Sequence, residues 1–101
     1  MYRGTTPVIT FKLNTDIDLT QISELYITFK SMTTEVSITK NECEIDDINK
    51  TISIRLSQEQ TLKFEAGVAN VQIRLKVGTS RAYATSIKQI DIGRILRDGV
   101  I

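Results

Sequence analysis

The stretch that decides the fold is residues 51–77, TISIRLSQEQTLKFEAGVANVQIRLKV. At its start Ile52, Ile54 and Leu56 alternate with Ser53 and Arg55. At its end Val71, Ile73, Leu75 and Val77 alternate with Gln72, Arg74 and Lys76. A period of two marks strands with one buried face. Between them Ser57 and Gln60 have the spacing of a capping box, which predicts one or two helical turns from residue 58 to about 63. Leu62 and Phe64 are the apolar residues of that corner and are expected to plug a gap between two sheets. Gly67 then releases the chain into the longest strand, residues 68–77. A strand, a corner and a long strand suit the crossing from one sheet of a sandwich to the other.

Outward from this stretch the pattern repeats. Towards the N-terminus, residues 7–13 place Ile9, Phe11 and Leu13 on one face, and Pro7, which cannot donate to a ladder, suits the start of an edge strand. Residues 14–23 break the alternation, and Asp18 with Gln21 predicts a capped single turn. Ile17, Leu19 and Ile22 would then close one end of the core. Residues 24–31 point Leu25, Ile27 and Phe29 inward, and residues 35–40 point Val36 and Ile38 inward, which reads as a hairpin turning at residues 32–34. A short strand at residues 43–46 and a turn at 47–50 lead into the opening stretch. After the turn at residues 78–81, residues 82–92 read as the last strand. Tyr83, Thr85 and Ile87 share one parity there and Ile90 and Ile92 the other, so a one-residue bulge near Lys88 is needed to repair the pattern. Seven strands with one helical turn between strands five and six predict an all-β fold, an antiparallel sandwich. An open barrel is the alternative.

The totals agree with one domain over residues 1–101. Hydrophobic residues are 41% and charged residues 25% of the chain, ordinary values for a globular domain. The net charge of +1 comes from 13 basic and 12 acidic residues, without the basic surplus that nucleic-acid binding usually shows. No apolar run reaches the ~20 residues that span a bilayer, and residues 1–7 have no apolar core of a secretory signal. The chain is therefore expected to remain in the cytoplasm where it is made.

Chemistry-bearing patterns are few. The chain has no histidine, which removes the commonest general base and metal ligand. The one cysteine, Cys43, lies in a strand without an activating base and reads as a small buried hydrophobe. Glu42, Glu44, Asp46 and Asp47 form the densest acidic cluster. They lack the calcium-loop pattern with its fixed glycine and read as a polar strand face and turn. Asp16 and Asp18 flank Ile17, and Asp18 is explained as a helix cap. Ser57, Ser80 and Ser86 have no partner to activate them, and no glycine-rich phosphate loop is present. No catalytic, cofactor-binding or metal-binding residue is assigned, and the chain is not expected to be an enzyme. Tyr2, Tyr26 and Tyr83 are the amphipathic aromatics. An exposed Tyr26/Tyr83 patch with carboxylate loops would suit a glycan- or host-surface-binding module, the alternative functional reading.

The two ends are more suggestive. Residues 1–6 form an arm with Tyr2 and Arg3. Residues 94–101 form a tail with Arg94, Ile95, Leu96, Arg97, Val100 and Ile101. An apolar tail in water invites cover: it either folds back on its own domain or docks onto a neighbouring copy or another subunit. These eight residues are the candidate interaction set.

Several stretches resemble small proteins encoded among the structural genes of tailed phages and prophages of Gram-positive bacteria. They are Arg3-Gly4-Thr5-Thr6-Pro7 before a short strand, Leu56-Ser57-Gln58-Glu59-Gln60-Thr61-Leu62-Lys63-Phe64, Val71-Gln72-Ile73-Arg74, and Ile95-Leu96-Arg97-Asp98-Gly99-Val100-Ile101. The resemblance covers most of the length. It implies a non-enzymatic virion component of roughly immunoglobulin-like topology, present in several copies: a capsid-decorating, head–tail or tail-associated module. The partners implied are other virion proteins and copies of itself, with no nucleic acid, membrane or small-molecule substrate and no cofactor.

Overall fold

In a computed structural model describing all 101 residues, the 51–77 stretch crosses between two antiparallel sheets, as its pattern predicts. The strands are β1 (Val8–Lys12), β2 (Ile22–Lys30), β3 (Glu35–Thr39), β4 (Cys43–Asp46), β5 (Thr51–Arg55), β6 (Gly67–Val77), β7 (Arg81–Ala84) and β8 (Lys88–Ile92). One helix, α1 (Gln58–Leu62), and two single 3-10 turns, Leu19–Gln21 and Lys40–Glu42, complete the elements. The smaller sheet has the order β1–β5–β4. The larger has β3–β2–β6, with β7 and β8 both pairing along the outer edge of β6.

Alternation decides what lies between the sheets. Ile52, Ile54 and Leu56 from the small sheet and Leu25, Ile27, Phe29, Val36, Ile38, Val71, Ile73 and Leu75 from the large one are buried together. Leu19 and Ile22 close one end as expected. Phe64 closes the other, fully buried with its ring edge-on to Phe29 at 6.3 Å between centroids. Leu62 does not join this plug and is half-buried on the surface of α1. The capping box forms in full: the Gln60 amide donates to the Ser57 hydroxyl at 3.1 Å, and the Ser57 amide donates to the Gln60 side chain at 2.8 Å. At Asp18 only the cap forms. Its carboxylate accepts from the Thr20 amide, and Gln21 does not reach back.

The two antiparallel sheets form a sandwich, and one strand lies in a different sheet from its immunoglobulin counterpart. A constant-type immunoglobulin sandwich keeps its second strand beside the first and fifth. Here β2 lies in the opposite sheet, between β3 and β6. The short turn at residues 31–34 holds β2 and β3 as a hairpin, with the Ser31 amide donating to the Thr34 carbonyl at 2.8 Å. A hairpin connection this tight keeps both strands in one sheet.

Two irregularities shift the expected boundaries. β2 begins at Ile22, because a bulge at Ser23 lets Ile22 and Leu25 both face inward. The Ser23 hydroxyl fixes the bulge through the Lys76 and Gly78 carbonyls. The last strand is divided into β7 and β8, which makes eight strands. Arg74 pairs Ala84 and Val71 pairs Lys88, so residues 85–87 face only Gln72 and Ile73. That is the one extra residue the parity change requires. Thr85 holds the break: its amide donates to the Ile73 carbonyl at 2.9 Å and its hydroxyl accepts from the Ile73 amide at 3.1 Å.

Candidate interaction surface where the two ends meet

Residues 1–6 and 94–101 lie at opposite ends of the sequence, and the fold brings them together beside α1. Residues 1–3 run parallel to the end of β8. The Gly93 amide donates to the Met1 carbonyl at 2.6 Å, and the Arg3 amide donates to the Gly93 carbonyl at 3.2 Å. The Met1 ammonium donates to the Asp91 carbonyl at 2.8 Å. Residues 1–3 therefore extend the large sheet, after which the chain crosses over to enter β1 in the small one. The crossing turns at Gly4, whose φ of +69° favours glycine. A Cβ at Gly4 would sit 3.1 Å from Ile95 and 3.3 Å from Leu62, so the glycine also admits the close approach of these two side chains.

Arg3 is the centre of this end. The last carbonyls of a helix have no partner within it, and the Arg3 guanidinium supplies one. Its Nη2 donates to the Leu62 carbonyl at 2.9 Å, its Nε to the Phe64 carbonyl, and its Nη1 to the Asp98 carboxylate at 3.0 Å. One side chain thus ties the arm to the end of α1 and to the tail. Thr61 adds a second tie from a fully buried position, its hydroxyl donating to the Thr5 carbonyl at 2.9 Å. Gln58 adds a third, donating to the Ile101 carbonyl at 3.0 Å and accepting from the Ile101 amide at 2.8 Å.

The eight candidate residues differ in how far the chain engages them. Tyr2, Arg3 and Ile95 are engaged within the chain. Tyr2 lays its ring against Gly93, where a Cβ would come within 2.5 Å of it. Arg94 borders a shallow depression with Arg3, Glu65, Ala66 and Ile95. Leu96, Arg97, Val100 and Ile101 point into solvent: Leu96 is fully exposed, Ile101 88% and Val100 55%. The tail thus folds back on its own domain through the Ile101 backbone and the Ile95 and Asp98 side chains, as neither an edge strand nor a helical turn, while Leu96, Val100 and Ile101 stay uncovered. Sequence reading missed Gln58, Thr61 and Asp98, the residues that hold the tail and arm in place. The charge of Asp98 opposite that of Arg3 was the one available signal. Nothing local marked Gln58 or Thr61.

The remaining patterns take structural places. Asp46 accepts from the Ile48 and Asn49 amides and the Asn49 side chain. These bonds, that from the Asn49 side chain foremost, hold its carboxyl below the usual range. Asp47 accepts from Lys50 at 2.6 Å and from the Leu19 amide at 2.8 Å, and its carboxyl is lowered likewise, chiefly by Lys50. Lys50 in that turn has a φ of +53°. Cys43 is half-buried, and burial, with Glu42 nearby, pushes its thiol up, away from nucleophilic character. Tyr26 lies opposite Arg74 on the outer face of the large sheet, whereas Tyr83 lies opposite Leu75 on the inner face. The expected Tyr26/Tyr83 patch therefore does not form, because pleating sends the two rings to opposite sides of one sheet. No group of three metal-ligating side chains gathers anywhere in the chain, and no helix is long and apolar enough to cross a membrane. No family model, curated protein or solved structure matches the chain.

Proposed function

We propose that the chain is a non-enzymatic structural protein of a tailed-phage virion, a capsid-decorating, head–tail or tail-associated module that acts by protein–protein assembly. It would be made in the cytoplasm of a bacterial host and be carried in the particle in several copies. Its partners would be other virion proteins and copies of itself, rather than nucleic acid, membrane or a small-molecule substrate. The observation that carries this reading is the tail: Leu96, Val100 and Ile101 are held out in water on a backbone fastened to a rigid sandwich by Arg3 and Gln58. Apolar side chains presented in a fixed place suit docking. The sequence resemblance supplies the setting.

The fold decides which perturbation tests the reading. Residues 1–3 are paired to β8 and Arg3 anchors α1, so removing the arm would destabilise the domain as well as remove the contact it is meant to probe. Substituting the exposed tail leaves the domain intact. Purified particles from the encoding phage should contain the wild-type chain in several copies by quantitative mass spectrometry. The triple substitution Leu96→Asp, Val100→Asp, Ile101→Asp should remove it from particles without changing the melting temperature of the isolated chain. Virions that lack the wild-type chain, or that retain the triple variant at normal levels, would contradict the proposal.

A further inference from the structure

The two sheets end in four strand edges, and three of them carry a feature that hinders pairing with another chain. Natural sheets blunt their edges with proline, lysine, bulges, short length or charge. The β7–β8 edge is broken at residues 85–87. β4 is four residues long and carries Glu44 and Asp46. β1 starts directly after Pro7 and ends on Lys12. β3 has none of these devices. Its five residues pair with β2 in one unbroken register, and its middle, Val36-Ser37-Ile38, contains no charge, proline or glycine.

Alternation fixes what the β3 edge offers. The Ser31 amide donates to the Thr34 carbonyl, so two residues further on Phe29 bonds Val36, and then Ile27 bonds Ile38. The main-chain groups of Glu35, Ser37 and Thr39 therefore point away from β2. Thr39 caps the next turn, Lys40–Glu42, and its carbonyl accepts from the Cys43 thiol at 3.3 Å. The Glu35 and Ser37 amides and carbonyls and the Thr39 amide remain for a partner strand.

The partner that fits is the same edge of a second copy. A two-fold axis at Ser37 sets Ser37 against itself, Val36 against Ile38 and Glu35 against Thr39. About four main-chain hydrogen bonds then form, two between the Ser37 residues and two from Thr39 amides to Glu35 carbonyls. On the inner face Val36 and Ile38 extend the apolar rows that they make with Phe29 and Ile27. On the outer face no like charges lie opposite each other, whereas the same operation on β4 sets Glu44 against Glu44 or Asp46. The register is unique as well. A slip by two residues sets Lys40 or Thr34 against an inward residue, and both side chains are already bonded, to the Ile22 carbonyl at 2.7 Å and the Lys63 carbonyl at 2.8 Å.

We propose that two copies of the chain pair edge to edge through β3, antiparallel about Ser37, joining their large sheets into one. The contact is isologous, uses each β3 edge once and closes at the dimer. It releases none of the bonds that hold the tail to Arg3 and Gln58. The inference rests on the sheet edges alone, so its outcome is independent of the virion reading.

Because Ser37 meets its own copy, a charge placed there opposes pairing with itself and favours pairing with the opposite charge. By sedimentation velocity the wild-type chain should pass from monomer to dimer as its concentration rises to millimolar. Ser37→Lys and Ser37→Glu should each associate at least tenfold more weakly, and their equimolar mixture at least tenfold more strongly than either alone. Circular dichroism certifies the fold of each variant; should one not fold, hydrogen exchange on the wild type decides. There the Glu35, Ser37 and Thr39 amides should slow with concentration while those of Val8, Thr10 and Lys12 stay unchanged. A wild-type chain that remains monomeric at millimolar concentration overturns the proposal. So does a mixture that associates no better than its components, or exchange that slows at β1 and not at β3.

Discussion

Replacing Arg3 with alanine tests whether the arm is part of the fold. The guanidinium is 20% exposed and donates to the Leu62 and Phe64 carbonyls, which have no helical partner, and to Asp98, which is 72% exposed. Hydrogen bonds involving a charged group contribute about 1.5–3 kcal/mol each. At the lower end of that range, two partly buried bonds give about 3 kcal/mol. The Asp98 ion pair, mostly in water, adds at most about 1 kcal/mol. A domain of this size has roughly 5–15 kcal/mol in all, so Arg3→Ala should remove a large fraction of it. At about 4–8 °C per kcal/mol, the melting temperature should fall by roughly 15 °C or more in a calorimetric or circular-dichroism scan at neutral pH. Asp98→Ala should lower it by no more than a few degrees and have almost no effect in the Arg3→Ala background. Arg3→Lys, with a single point charge in place of a fork, should fall between. An Arg3→Ala melt no lower than that of Asp98→Ala would refute the reasoning, since the carbonyl bonds would then contribute nothing.

Two further outcomes follow from the bulge and the β4–β5 turn. Thr85→Val leaves the Ile73 amide without the hydroxyl it bonds at 3.1 Å; it should cost about 1–2 kcal/mol and speed hydrogen exchange at Ile73, whereas an unchanged exchange rate would show that the amide finds another partner. Asp46 and Asp47 both have lowered carboxyl pKa values in the fold, so the unfolded chain takes up their protons first as pH falls. Their stabilisation is complete above about pH 4, the ordinary carboxylate value, and is lost as pH drops through the lowered folded values. Asp46→Asn with Asp47→Asn should therefore flatten the acid limb of the stability curve; a limb as steep as that of the wild type would place the acid sensitivity elsewhere.

How much was legible in the chain follows from how local each feature is. The inward faces of β2, β3, β5 and β6 were readable because a strand buries every second residue whichever neighbours it acquires. The Ser57–Gln60 box was readable because both halves lie within one turn. Even the β7–β8 break was visible, as a change of parity that demanded one extra residue. Alternation does not name partners, however, and the placement of β2 between β3 and β6 was settled by a tight hairpin with no strong turn signature. Arg3 is a residue type that usually lies in water. Only the fold brings it to the carbonyls that end α1, some 60 residues away. The same is true of the meeting of residues 1–6 with 94–101. Period and capping, which act over a few residues, were fixed in the sequence, while the surfaces left to bind a partner depend on contacts that exist only once the two sheets have packed.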